Sequence, residues 1–143
     1  MINSILLIDD ENLFHLVFED ACSLLDISLS LECVSSSDEA AKMFKHMYEN
    51  NIPRPDCVFV DLNIIGSTFD GIELIRKINH EMGNGMVIGI ISSSNEFEEQ
   101  EKAKSAGAQF WIIKSDDIEP RLEEFKNDFE GYKKRKLPFK IYR

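Results

Sequence analysis

Four short apolar runs divide this chain, and each ends in a polar residue. Ile5-Leu6-Leu7-Ile8 runs into Asp9-Asp10-Glu11, and Cys57-Val58-Phe59-Val60 into Asp61. Val87-Ile88-Gly89-Ile90-Ile91 runs into Ser92, and Phe110-Trp111-Ile112-Ile113 into Lys114. Runs that are continuous rather than alternating suit strands buried on both faces of a parallel sheet. A fifth strand is expected over Leu29 to Val34.

Amphipathic stretches fill the intervals. After Asp10, Phe14, Val17, Phe18, Ala21, Leu24 and Leu25 recur at helical spacing. Ser37 is expected to cap a second helix bearing Ala40, Ala41, Phe44 and Met47. Asp70-Gly71 opens a third, with Ile72, Leu74, Ile75 and Ile78 on its buried face. Asn95 is expected to cap a highly charged fourth, which Gly107 ends. A fifth runs from about Ile118 to Phe129, turning Leu122, Phe125 and Phe129 inward. The reading is an α/β fold: a five-stranded parallel sheet, doubly wound, with right-handed crossovers.

At 143 residues the chain suits one domain with a proper core. Its net charge of -10 is uneven. Beyond Gly131 stand six basic residues and no acidic one, which leaves 10 basic against 26 acidic in the body. Such a body repels phosphates and argues against general nucleic-acid binding. The three cysteines, Cys22, Cys33 and Cys57, lack metal-ligand spacing and read as buried free thiols. His15, His46 and His80 also lack ligand spacing, and Gly83-Asn84-Gly85 reads as a loop rather than a phosphate cradle. The first apolar run meets two aspartates at once, so no signal peptide is expected. No run approaches a membrane span, and a cytoplasmic protein is expected.

In open α/β sheets ligands bind beyond the carboxyl ends of the strands. That rule gathers Asp9, Asp10, Asp61, Ser92 and Lys114 at one rim, where a divalent cation and a phosphoryl group would fit. Singly, each has a plainer reading. An aspartate can cap the following helix, Lys114 can snorkel from a strand end, and Ser92 can begin the loop Ser92-Ser93-Ser94-Asn95. Their joint placement at four strand ends is the stronger signal.

These residues in this order resemble the receiver domain of two-component response regulators. The likeness covers about residues 3 to 130. Its pieces are Ile-Leu-Leu-Ile-Asp-Asp-Glu, Val-Phe-Val-Asp-Leu-Asn, Gly-Ile-Glu-Leu-Ile-Arg, Ile-Ile-Ser-Ser and Ala-Gly-Ala-Gln-Phe-Trp-Ile-Ile-Lys. It implies a flavodoxin-like receiver over residues 1–131, and leaves 132–143 as a basic tail, expected to be solvated or loosely packed. By resemblance Asp61 accepts the phosphoryl group. Mg2+ is held by Asp9, Asp10, Asp61 and the backbone carbonyl of Asn63. Lys114 and Ser92 bind the phosphoryl oxygens, and Ser92 and Trp111 form the switch.

The implied partners are a histidine kinase or histidine phosphotransfer protein and an unspecified downstream protein, with no DNA-binding output domain. Leu13, Phe14 and His15 lie where a kinase would dock, and a homodimer through the fourth-helix and fifth-strand face is allowed. The implied role is that of a phosphoacceptor that signals through changed protein contacts, not an enzyme with an external product.

Two rivals remain. One is a pseudo-receiver, acting as an interaction module without phosphorylation. The other is a Mg2+-dependent phosphohydrolase, against which stands Asn63, at the position where such enzymes usually carry a second aspartate. The chain departs from the family in a loop two residues longer between Asp61 and Gly71. It also has Ser115 in place of a proline, Trp111 in place of tyrosine or phenylalanine, and Ser93 in place of alanine.

Overall fold

The computed structural model describes residues 2–27, 30–83 and 85–143. Its strands are β1 (Ser4–Ile8), β2 (Ser30–Val34), β3 (Cys57–Asp61), β4 (Val87–Ser92), β5 (Phe110–Ile113) and β6 (Lys140–Tyr142). Its helices are α1 (Asn12–Leu24), α2 (Ser37–Glu49), α3 (Gly71–Met82), α4 (Phe97–Ala106) and α5 (Glu119–Lys133). All pairings are parallel, in the order β2-β1-β3-β4-β5-β6. Leu29 and Asn84, parts of an expected strand and loop, lie outside the described residues.

Alternation along the strands sorts side chains to two faces. Leu7, Phe59, Ile91, Phe110 and Ile112 meet α1 and α5 in one core. Ile8, Val58, Val60, Ile88, Ile90 and Trp111 meet α2, α3 and α4 in the other. On the first face the Phe110 ring lies over Gly89, where an added Cβ would come within 2.6 Å of it. A side chain there would displace the ring at the centre of the core.

The expected five strands become six, because the tail is not loose. Helix α5 runs on past Phe129 to Lys133, and β6 pairs with β5 through Phe110↔Lys140, Trp111↔Ile141 and Ile112↔Tyr142. Tyr142 is buried against Phe125, with ring centroids 5.9 Å apart. Its hydroxyl donates to Asp128 Oδ2 at 2.7 Å, so Tyr132, 2.8 Å away, donates to Tyr142. Lys140 Nζ pairs with Asp128 at 2.9 Å and Glu124 at 3.0 Å. Each buried hydroxyl therefore has a partner, without which its burial would oppose folding.

Two helix starts also differ from expectation. Ser36, not Ser37, caps α2 by accepting the Glu39 N–H at 3.1 Å. Ser37 instead receives the Phe69 N–H at 3.2 Å, pinning the long β3–α3 loop to α2. Glu96, not Asn95, is the cap residue of α4, and Asn95 Oδ1 accepts from Gln100 at 2.9 Å. Asp70 does start α3, in a capping box with Glu73, and Gly107 ends α4 in the left-handed region.

Candidate functional site

Asp9 follows β1, Asp61 closes β3 and Lys114 follows β5, all on the α1/α5 side of the rim. Asp9 is fully buried. Its Oδ1 accepts the Glu11 N–H at 2.8 Å. The Lys114 ammonium stands 2.7 Å from Asp9 Oδ2, 2.7 Å from Glu11 Oε1 and 3.7 Å from Asp61 Oδ2. The approach to Asp9 Oδ2 is close in distance but off-line, so this buried oxygen has charge compensation without an aligned donor. The ammonium also lies over the Phe14 ring, 4.4 Å from its centroid.

Asp61 is 6% exposed. Burial, and next the charge of Asp9, push its pKa up to about 7, with a smaller push from Asp10. Lys114 and the backbone N–H of Asn63 work in the opposite direction. Burial also acts to lower the Lys114 pKa, but its contacts with Asp9 and Glu11 and the charge of Asp61 outweigh it and raise the value.

Carboxylate oxygens of Asp9, Glu11 and Asp61 all lie within 4.8 Å of one another. Three hard oxygen donors, one of them on a buried carboxylate with an oxygen lacking an aligned donor, fit a divalent cation that keeps part of its water shell. The expected set was Asp9, Asp10, Asp61 and Asn63. The structure clusters Glu11 with Asp9 and Asp61 and engages Asp10 elsewhere, its Oδ2 accepting the Ile65 N–H at 3.3 Å. Asn63 is exposed and turns its N–H toward Asp61.

Ser92 and Trp111 are brought together on the opposite side of the sheet. The buried Ser92 hydroxyl accepts the Ser94 N–H at 3.1 Å, and the buried Trp111 indole donates to the Ser94 carbonyl at 3.1 Å. The Lys114 N–H donates to the Ser92 carbonyl at 2.8 Å, which ties the two strand ends. A cleft of about 370 Å³, lined by residues including Leu62, Asn63, Ser94 and Glu96, borders the rim. A groove of about 590 Å³ between α2 and α3 holds none of the expected site residues.

The docking residues divide. Leu13 is 76% exposed, whereas Phe14 is 7% exposed and belongs to the core. Phe14 belongs to the apolar spacing of α1, and that helical phase, rather than its nearness to His15 in the docking trio, decides its place and turns it under Lys114. His15 is half-buried, with Nε2 against the Asp9 carbonyl. Sequence reasoning passed over the roles of Glu11, Phe14 and Ser94. The acidic run Asp9-Asp10-Glu11 carried the signal for Glu11, and no local pattern marks Ser94. Among the described residues there is no cis peptide, and Ser115 Oγ accepts from Arg121 at 2.7 Å. No helix among them is long and apolar enough to cross a membrane.

The family described as response regulator receiver domain matches residues 5–124. No curated protein matches the sequence. Similar solved structures include NtrX from Brucella abortus, at 23% identity and TM-score 0.77 over 94% of this chain and 28% of that one. This chain thus spans little more than a quarter of NtrX. The phosphorylated cyanobacterial phytochrome response regulator RcpA gives 18% identity and TM-score 0.73, covering 96% of this chain and 97% of its own. The Mn2+-bound response regulator Rcp1 gives 19% and 0.68, covering 90% and 92%. At these identities the likeness is one of fold.

Proposed function

Because the chain belongs to the response regulator receiver domain family, we propose that it accepts a phosphoryl group on Asp61 from a histidine kinase or histidine phosphotransfer protein and signals through changed protein contacts. The supporting observation is the buried Asp61 carboxylate at a strand end, with Lys114 3.7 Å away and two further carboxylates beside it.

An Asp61 oxygen would attack phosphorus in line. The new O–P bond forms as the donor's P–N or P–O bond breaks, and the leaving group departs with the bonding pair. Mg2+ held by Asp9, Glu11 and Asp61 would supply positive charge to offset the carboxylates and the incoming phosphoryl. Lys114 would exchange a carboxylate contact for a phosphoryl oxygen, as a point charge. The Ser92 hydroxyl would leave the Ser94 N–H to donate to another. Ser94 also holds Trp111, so that exchange would loosen the aromatic and change the surface near α4. Leu13, Leu16 and Ile65, each more than half exposed, would meet the phosphodonor protein.

Intact-protein mass spectrometry after incubation with Mg2+ and acetyl phosphate tests this. A Mg2+-dependent gain of one phosphoryl group, absent in Asp61→Asn, is the expected result. Absence of an adduct in the unaltered protein would overturn it in favour of an interaction module that works without phosphorylation.

A further inference from the structure

Lys114 is held in an unusual way. Its side chain is 10% exposed, and three of its neighbours are the acids of the cluster, Asp9, Glu11 and Asp61. Each of those carboxylates has competing uses, since a hard cation would draw on all three and a phosphoryl group would take up Asp61. The fourth neighbour, the Phe14 ring, is neutral. An aromatic face attracts an ammonium through its quadrupole, and the attraction grows as water is excluded. A ring binds neither a hard cation nor a proton, so this contact is not withdrawn when the carboxylates turn elsewhere.

The ring is also firmly set. Phe14 is 7% exposed, and its centroid is 6.1 Å from that of Phe18. Phe18 in turn packs edge-on against Phe59, 5.1 Å away, two residues before Asp61 on β3. One aromatic chain thus supports the strand of the phosphoacceptor and the seat of the lysine. We propose that Phe14 is a positioning residue whose ring face keeps the Lys114 ammonium over the acid cluster while its carboxylate partners are exchanged. The proposal rests on the phosphoacceptor reading of the site. The plainer role for Phe14, apolar filling beside Phe18, would be served equally by leucine.

Two replacements separate these roles: Phe14→Leu, and a trifluorinated phenylalanine in place of Phe14, which keeps shape and burial but removes the negative face. The first readout is the NMR shift of the Lys114 Hε protons, assigned by their loss in Lys114→Arg and recorded with and without Mg2+ alone. We expect an upfield ring-current shift in the unaltered protein under both conditions, absent in Phe14→Leu. The second is the rate of phosphoryl uptake from phosphoramidate. We expect both replacements to be slower by roughly tenfold, with unchanged melting of the fluorinated protein. A fluorinated protein as fast as the unaltered one, or no ring-current shift, would overturn the proposal. If the unaltered protein takes up no phosphoryl group, the phosphoacceptor reading fails, and the ring-current shift alone decides whether Phe14 seats the lysine.

Discussion

The face of the sheet beneath α1 and α5 and the face beneath α2, α3 and α4 are packed from different materials. The first is aromatic: Phe18, Phe59, Phe110, Phe125, Tyr132 and Tyr142 are essentially fully buried and interlock mostly at tilted or edge-on angles, with Phe125 and Tyr132 stacked. The second is mostly aliphatic, and α4 contributes only Gln100, Ala103 and Ala106 to it. Interlocking rings leave few alternative packings, whereas a charged helix anchored by two alanines has little apolar contact to lose. The carboxylates and Lys114 stand on the aromatic side, Ser92 and Trp111 on the other. On the proposed phosphoacceptor reading, rigid ground beneath Asp61 and a lightly held helix over Trp111 would suit a switch, with geometry fixed at the input and freedom at the output.

The contrast can be broken most forcefully at β6, whose neighbouring residues enter opposite cores. Tyr142→Ala should destabilise the fold by about 3–5 kcal/mol, the usual cost of removing a buried aromatic. Ile141→Ala, at a half-buried position on the other face, should cost less than half as much. Urea denaturation of the two variants measures the difference, and equal losses would mean that the aromatic core is not the firmer one.

Asp61 gives the next largest effect. Its folded-state pKa lies near 7, above the ordinary 3.8, so folding favours its protonated form. The penalty of the charged form is absent below about pH 4 and grows as pH rises, becoming complete above pH 7. Without metal, Asp61→Asn should therefore stabilise the protein above pH 7. Discounted for solvent screening at the open rim, the gain should be about 2 kcal/mol, and it should vanish toward pH 4. Thermal melting across that pH range follows the gain. Mg2+ should favour the unaltered protein and reverse the order, because it binds the folded carboxylates.

The smallest expected effect lies on the output side. Trp111→Phe removes the indole donor to the Ser94 carbonyl and should cost about 1–2 kcal/mol. It should speed amide exchange at Ser94 and Asn95 while leaving Lys114 and its neighbours as they are. Exchange rates measured by NMR would show whether the disturbance stays on the α4 face.

The four buried strands, the start of α3 at Asp70-Gly71 and the βα alternation were legible because each rests on a local pattern of several residues. The sixth strand was not, since lysines and arginine dominate 133–136 and draw attention to charge. Its signal was the short alternation Phe139-Lys140-Ile141-Tyr142, which places Phe139 and Ile141 against one core and Tyr142 in the other. At the site, Asp9, Asp61 and Lys114 were legible from strand ends. Phe14 beneath Lys114 depends on how α1 is rotated against the sheet, and Ser94 on a loop's path, neither of which spacing specifies. The clustering of Glu11, rather than Asp10, with Asp9 and Asp61 likewise follows from the turn after β1, where Asp10 meets the Ile65 N–H.

The added strand has a consequence for solubility. Without β6, the apolar run Phe110–Ile113 would form the margin of the sheet, a row of unpaired amides flanked by large hydrophobes and so a template for strand pairing between molecules. With it, the margin becomes three residues long and carries Lys140, a short and charged edge of the kind that resists such pairing. The basic tail thus guards an apolar strand at the margin of an acidic protein's sheet, whatever else its positive charge serves.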